Sequence, residues 1–192
     1  MDHVVFYSGG MSSFFTAQRV VEKFGNDSLK LLFTDTKYED EDLYRFLREG
    51  AEHLGGELVW IEDGRDPWEV FRDVKFLGNS RIDPCSRILK RELAKKWIHG
   101  NYPDPASVTL YLGMNFDERH RLDRSKKYWA PYEVESPLME KPWLERHLMM
   151  SELDHLGIYP PRLYEMGFPH NNCGWFCIKA GQAHFKLLLQ EL

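Results

Sequence analysis

A glycine turn directly after a short apolar stretch is the feature that most constrains the fold of this chain. The stretch His3-Val4-Val5-Phe6 leads straight into Tyr7-Ser8-Gly9-Gly10-Met11-Ser12-Ser13. This pattern is typical of a buried strand, a turn and the start of a helix, because adjacent glycines allow backbone dihedrals that a Cβ would forbid. Backbone amides of such a turn, with the free N–H groups of the helix, form an anion site. We therefore predict a nucleotide phosphate site formed by Ser8, Gly9, Gly10, Ser12 and Ser13.

Ser-Gly-Gly alone is a common turn, so the surrounding sequence must decide whether this motif indicates a phosphate site. Apolar runs alternate with helical patterns over the first half of the chain, and strands are predicted at residues 4–7, 29–34, 58–61 and 108–112. Helices are predicted at residues 12–24, 43–54 and 84–99. Such alternation predicts a parallel sheet covered on both faces, in which anions bind at the carboxyl ends of the strands. The turn lacks the Gly-Lys-Ser/Thr of a Walker loop and the spacing Gly-x-Gly-x-x-Gly.

The pattern changes after about Met114. Residues 115–127 are predicted to form a charged loop, followed by the segment 132–138, a helix near 143–156 and a last helix at 179–192 with Ala183, Leu187 and Leu188 on its inner face. A chain of 192 residues fits one domain. We predict a core at about residues 1–135 and a loop-rich helical lid at about residues 136–192.

Charge is unevenly distributed in a chain with a net charge of −5. Residues 81–96 carry a formal +4 and residues 117–127 a formal +2, whereas residues 35–42 contain five acids and one lysine. Two interpretations of the basic runs stay open: a solvated helix face, or a rim around a polyphosphate or nucleic-acid substrate. No apolar stretch approaches the ~20 residues that cross a bilayer, and no signal segment is recognisable. We expect a cytoplasmic protein without a membrane partner, and leave its oligomeric state open.

Three cysteines form the second chemical signal. An odd number without a secretory signal does not indicate a disulfide scaffold. Cys173 and Cys177 are spaced so that two thiolates could bind one metal, and Cys85 could complete a tripod. The alternative is that all three are buried free thiols.

The turn resembles the PP-loop, Ser-Gly-Gly-x-x-Ser, of the ATP pyrophosphatase (adenine nucleotide alpha-hydrolase-like) superfamily, with Ser12 where many members carry Asp. Within it, the chain looks most like the phosphoadenosine phosphosulfate reductase-like branch over nearly its whole length. The segments that carry this likeness are residues 33–36, 39–46, 112–121, 136–143 and 164–168. The resemblance implies a three-layer α/β sandwich with a mainly parallel five-stranded sheet, of the HUP or Rossmann-like kind. It also implies that the lid brings Cys173 and Cys177 towards Cys85.

The resemblance further implies an enzyme that binds ATP with Mg²⁺ and adenylylates a substrate with release of pyrophosphate, for sulfur transfer or nucleic-acid base modification. Lys90, Arg119 and Arg121 are the candidate cations at the α-phosphorus. Asp35 either contacts the nucleotide or caps the next helix. Two other functions stay open: a sulfonucleotide reductase, against which stands the lack of a cysteine after Cys177, and a non-catalytic nucleotide- or metal-binding module of a modification or defence complex.

For the cysteines, the resemblance implies a metal site with a reduced ligand set. In iron–sulfur members, Cys-Cys-x-x-Arg-Lys and a downstream Cys-x-x-Cys hold a [4Fe–4S] cluster. Here Cys85 matches the first cysteine, Ser86 replaces the second, and the downstream pair has one extra residue between its members. Four ligands thus become three, which leaves a site-differentiated [4Fe–4S] cluster and a zinc ion as the two alternatives.

Overall fold

Five parallel strands form a single sheet in the computed structural model, which describes residues 1–79, 81–171, 173–174 and 176–191. The strands are β1 (Asp2–Phe6), β2 (Leu29–Asp35), β3 (Glu57–Glu62), β4 (Val108–Tyr111) and β5 (Glu133–Glu135). Their order is β3-β2-β1-β4-β5. The strand order therefore reverses at β1: β2 and β3 lie on one side of it, and β4 and β5 lie on the other. Such a switch point opens a crevice at the carboxyl ends of the strands.

Helices cover both faces of the sheet. They are α1 (Met11–Phe24), α2 (Glu41–Leu54), α3 (Pro67–Val74), α4 (Leu93–Asn101), α5 (Arg119–Trp129), α6 (Arg146–His155), α7 (Arg162–Glu165) and α8 (Gln182–Glu191). A π-helical segment, Ser86–Glu92, runs directly into α4. The helices α1, α2 and α6 share one apolar core with Val5, whereas α4 and α5 share another with Val4. This alternation along β1 is the period of two that a strand imposes.

The structure confirms the predicted α/β class, the parallel five-stranded sheet and the four predicted strands, with ends shifted by one or two residues. The fifth strand lies inside the segment 132–138. One prediction is wrong: most of the supposed charged loop at residues 115–127 belongs to α5. The helical period of α5 was not visible in the sequence, because only Leu122 and Trp129 make apolar contacts with the core and the other positions are mostly charged.

Other boundaries also differ. The predicted helix at residues 84–99 is π-helical over Ser86–Glu92 and continues through Gly100 to Asn101. In α8 the buried residue is His184, while Ala183, predicted on the inner face, is exposed. Met149 and Leu153 of α6 lie in the main core, so this part of the predicted lid packs on the sheet domain. Among the described residues, no helix combines the length and apolar character needed to cross a membrane.

Candidate nucleotide site

The turn between β1 and α1 has the backbone of an anion cradle. Gly9 has φ +76°, and a Cβ at this position would lie 2.7 Å from Cγ of Leu43. Gly10 is the extended N-cap residue of α1, so the free N–H groups of the first helical turn follow it directly. The Ser13 hydroxyl donates to the Gly10 carbonyl at 2.7 Å. We call residues 8–13 the phosphate loop.

The phosphate loop is held by chain segments that are distant in sequence. Gly113 follows β4, and a Cβ there would lie 2.9 Å from the backbone carbon of Ser12 and from the backbone nitrogen of Ser13. Only glycine permits this approach, since neither backbone atom can move aside cheaply. The buried Asn171 donates its side-chain N–H to the Gly9 carbonyl at 3.1 Å. The loop is therefore fixed from β4 and from the C-terminal part of the chain.

Three adjoining cavities open along the carboxyl edge of the sheet, and Arg121 lines all of them. The loop cavity, about 440 Å³, lies over the phosphate loop and is bordered by Arg146. The helix cavity, about 860 Å³, extends from Ser8 between α5 and the π-helical segment that leads into α4. The thiol cavity, about 270 Å³, contains the three cysteines. Together they form one cleft at the switch point.

Lys90 points a positive charge into this cleft and is held by a buried carboxylate. Its ammonium group lies 2.9 Å from Oε1 of Glu39, whose side chain is only 1% exposed. Burial opposes the charge on Lys90, but the Glu39 carboxylate outweighs it and raises the pKa of the lysine. Glu39 also accepts hydrogen bonds from the Thr36 hydroxyl and the Cys173 backbone N–H. One carboxylate thus joins the β2–α2 connection, the π-helical segment and the cysteine loop.

The three cysteines lie around the thiol cavity as reduced thiols. The Cys173 thiol donates a hydrogen bond to the sulfur of Cys177, which raises the pKa of Cys173 and lowers the pKa of Cys177. Burial raises the pKa of Cys85. Across the described ranges, no three His, Cys, Asp or Glu side chains are grouped so that they could hold a metal ion. Metal binding by these thiols stays a prediction.

The other predicted site residues, Arg119, Arg121 and Asp35, occupy three different environments. Arg121 faces the cleft and pairs with Glu118, whereas Arg119 is exposed and lines none of the three cavities. Asp35 is buried and accepts hydrogen bonds from the Lys37 backbone N–H at 2.8 Å and the Tyr44 hydroxyl at 2.9 Å. The idea that Asp35 caps the next helix is wrong, since the Asp40 side chain caps α2.

Three site residues escaped the sequence analysis: Glu39, Arg146 and Asn171. Arg146 borders the loop cavity, where its guanidinium donates to the Phe168 carbonyl at 3.2 Å and lies 5.1 Å from the centre of the Tyr164 ring. Glu39 lay in an acidic run that concealed it, although its position after the Thr-Asp-Thr strand end was a usable signal. Neither Arg146 nor Asn171 belongs to a local pattern that could have marked it.

The half-buried His170, which lines the loop cavity, gives a prediction about pH. Two effects lower the pKa of His170: burial of the ring is the larger, and the charge of the neighbouring His184 is the second. The folded protein therefore holds this ring neutral. Since the unfolded chain takes up the proton first, the free energy of unfolding should fall as the pH drops below the ordinary histidine pKa of about 6.5. Denaturant titrations of the wild type and of His170→Phe across pH 5–7 test this. A variant with the same pH dependence as the wild type would contradict it.

Comparison with known proteins places the fold. The structure matches the phosphate complex of phosphoadenylyl-sulfate (PAPS) reductase from Candida auris with a TM-score of 0.56, over 87% of this chain and 77% of that one, at 13% sequence identity. The chain therefore has the phosphoadenylyl-sulfate reductase-like fold, as the sequence resemblance implied. No family model matches the sequence. The uncharacterized protein MJ0066 of Methanocaldococcus jannaschii is 27% identical over 175 residues. That match covers 88% of this chain but only 35% of the relative.

Proposed function

We propose that this chain is an ATP-binding enzyme that adenylylates an acceptor and releases pyrophosphate. The observation that carries the proposal is the phosphate loop, with Gly9 at positive φ and the free amides of α1, at the switch point of a parallel sheet. Helix N-termini of this kind bind phosphate through backbone N–H groups and the helix dipole. The match to a reductase that is itself a phosphate complex supports a phosphate-binding cleft in this fold.

The cations of the cleft suit transfer of an adenylyl group. An acceptor oxygen or nitrogen would attack the α-phosphorus and form a bond to it. The bond between the α-phosphorus and the oxygen that bridges to the β-phosphate would break. Pyrophosphate would leave, and the proton of the acceptor would pass to solvent. Lys90, Arg121 and Arg146 are the candidates that stabilise the charge of this transition state, which is chiefly a matter of position and electrostatics. Arg119 is not placed to contribute.

Asp117 and Glu118 border the loop cavity together with the phosphate loop. Mg²⁺ is bound in proteins through one or two carboxylates plus substrate phosphates, so this donor set fits the ion. Mg²⁺ would supply charge neutralisation at the phosphates. The pairing of Glu118 with Arg121 keeps both charges beside the loop before any nucleotide arrives.

Ser12 offers a direct test of ATP binding. It lies in the first turn of α1, and no described group hydrogen-bonds its hydroxyl. Ser12→Ala should therefore weaken ATP binding by about 10- to 100-fold, because a hydrogen bond to a charged group contributes about 1.5–3 kcal/mol, without loss of stability. Ser151→Ala is the matched control, because Ser151 is an exposed helical serine on α6. Calorimetry measures the affinity.

Catalysis requires a second measurement. The protein is incubated with Mg-ATP and RNA, DNA or small-molecule fractions, and pyrophosphate release is followed. Release that depends on one fraction supports the enzyme. Tight ATP binding without product in any fraction would contradict catalysis and favour the non-catalytic module, and a protein that binds no ATP would refute the proposal as a whole.

A sulfonucleotide reductase is the second candidate, and the cysteine pair favours it. The lowered pKa of Cys177 makes its thiolate available in the same cleft as Lys90. The thiolate would attack the sulfate sulfur, so that an S–S bond forms and the S–O bond to the nucleotide breaks. Attack by Cys173 on the Cys177 sulfur would then release sulfite and leave a disulfide for an external dithiol to reduce. Sulfite formed from adenosine phosphosulfates and a dithiol, and lost in Cys177→Ser, would establish this function.

A further inference from the structure

The two basic runs of the sequence form one continuous surface. Residues 81–96 and 117–127 carry a formal +6 together, in a chain of −5, so the rest of the chain carries −11. The helices α4 and α5 pack on the same face of the sheet, where Ala94, Ile98 and Trp129 share a core. Lys95 of α4 lies 4.8 Å above the Tyr128 ring of α5 and bridges them. We call the exposed surface of residues 86–96 and 119–129 the basic face.

Most of this charge is available to a ligand. Arg124, Lys126 and Lys127 are exposed on α5 and form no ion pair with any residue that the structure describes. Arg87 pairs with Glu92 at 2.6 Å, but both side chains are about half exposed, and such surface pairs contribute little. A surface of this kind is incompletely compensated by its own acids, which favours a polyanionic partner over a merely solvated helix face.

The helix cavity connects the basic face with the phosphate loop. Six of its lining residues are basic and two are acidic, and it ends at Ser8. Aromatic rings also line it: Tyr128 is 39% exposed and Phe6 is partly exposed, whereas Trp129 is buried behind Phe6 in the core. Basic groups that follow a backbone, combined with aromatic surfaces for the bases, are typical of sites for single-stranded nucleic acid. The volume of about 860 Å³ lies in the range of small-ligand sites.

We propose that the basic face binds an unpaired nucleic-acid strand, one base of which enters the helix cavity and reaches the phosphate loop as the acceptor. This inference rests on the proposed function, since it names the acceptor of that reaction. An unpaired strand is required because a base stacked in a duplex cannot reach the end of a cavity. An acidic polypeptide would satisfy the charge but brings no planar group for the aromatic rings.

The test measures binding of labelled single-stranded RNA and DNA, and of a duplex of the same sequence, over a series of salt concentrations. The double variant Arg124→Glu/Lys127→Glu removes two exposed charges of the basic face. Lys23→Glu/Arg48→Glu is the matched control, with the same change in charge on α1 and α2, which cover the opposite face of the sheet. Thermal melting checks that both variants fold.

The basic-face variant should bind the single strand at least about tenfold more weakly at low salt, while the control stays near the wild type. Each phosphate contact contributes about −0.7 to the slope of log K against log salt for single strands, so two lost contacts should reduce the slope by about 1.4. Binding of RNA or of DNA supports the proposal, and the ratio of the two affinities identifies the natural strand.

Three results would overturn the inference: equal losses in both variants, equal affinity for the duplex, or displacement of the strand by polyglutamate as effectively as by unlabelled strand. The last would point to an acidic protein partner. ATP affinity is measured separately on the wild type. A protein that binds ATP but no strand refutes this inference alone, and one that binds the strand but no ATP refutes the proposed function.

Discussion

Gly9→Ala is expected to abolish ATP binding and to lower the free energy of unfolding by about 2–5 kcal/mol. Two physical costs add up at this position. The backbone at φ +76° disfavours any Cβ by about 1–2 kcal/mol. The added methyl group would also lie 2.7 Å from Cγ of the buried Leu43, and overpacking of this kind costs about 1–3 kcal/mol. Relief of the clash must move the phosphate loop or α2, and either movement spoils the cradle.

Gly25→Ala separates these two costs. Gly25 has nearly the same φ, +78°, at the end of α1, but no heavy atom lies within 4 Å of an added Cβ. Because its ψ is −177°, Gly25 lies in a backbone region that is essentially restricted to glycine, so this variant should lose about 1–3 kcal/mol and keep its ATP affinity. Denaturant unfolding and calorimetry are run on both variants. If Gly9→Ala bound ATP as tightly as Gly25→Ala, the phosphate loop would not be the nucleotide site.

Glu39→Ala is expected to lower the free energy of unfolding by about 3 kcal/mol and to eliminate pyrophosphate release. The substitution leaves the Lys90 ammonium in a cleft without its buried partner, and removal of one member of a buried ion pair costs about 3–5 kcal/mol. We expect the lower end of that range because the Lys90 side chain is 25% exposed. The Cys173 N–H and the Thr36 hydroxyl also lose their acceptor.

Glu49→Ala provides the control for this prediction. Glu49 also pairs with a cation, Arg45 at 2.6 Å, but its side chain is 45% exposed. Loss of such an i,i+4 pair costs only about 0.3–0.5 kcal/mol. Glu39→Gln, which keeps an acceptor and removes the charge, should fall between the two. Equal stabilities of the Glu39 and Glu49 alanine variants would show that Glu39 does not hold Lys90 in the manner described.

Much of the fold could be predicted from local patterns. The strands β1, β2 and β4 are short apolar runs between turn residues, and α1 and α2 repeat apolar residues at helical spacing. The errors occur where those patterns are weak. The sequence suggested a loop where α5 lies, because charged residues dominate its surface and few apolar side chains anchor it. Helix α3 was missed, although Asp66 and Glu69 form a capping box at its start.

The candidate site was predictable only in part. The glycines and serines of residues 8–13 stand next to one another in the chain, and their placement after β1 agrees with the prediction, while their role in binding stays untested. Lys90 and Arg121 line the cleft as expected, but Arg119 does not, because this first residue of α5 is exposed to solvent. The cysteines line one cavity, as the resemblance implied, without forming a metal-ligand group within the described part of the chain.

The amino-acid sequence by itself determined the strand, the glycine turn and the helix that build the cradle, because backbone sterics and hydrophobic period act over neighbouring residues. The tertiary structure alone decided what surrounds the cradle. Asn171 reaches Gly9 across 162 positions and Glu39 reaches Cys173 across 134, contacts that depend on how the whole sheet and its helices pack. The same packing turns two separate basic runs into one surface that opens on the phosphate loop.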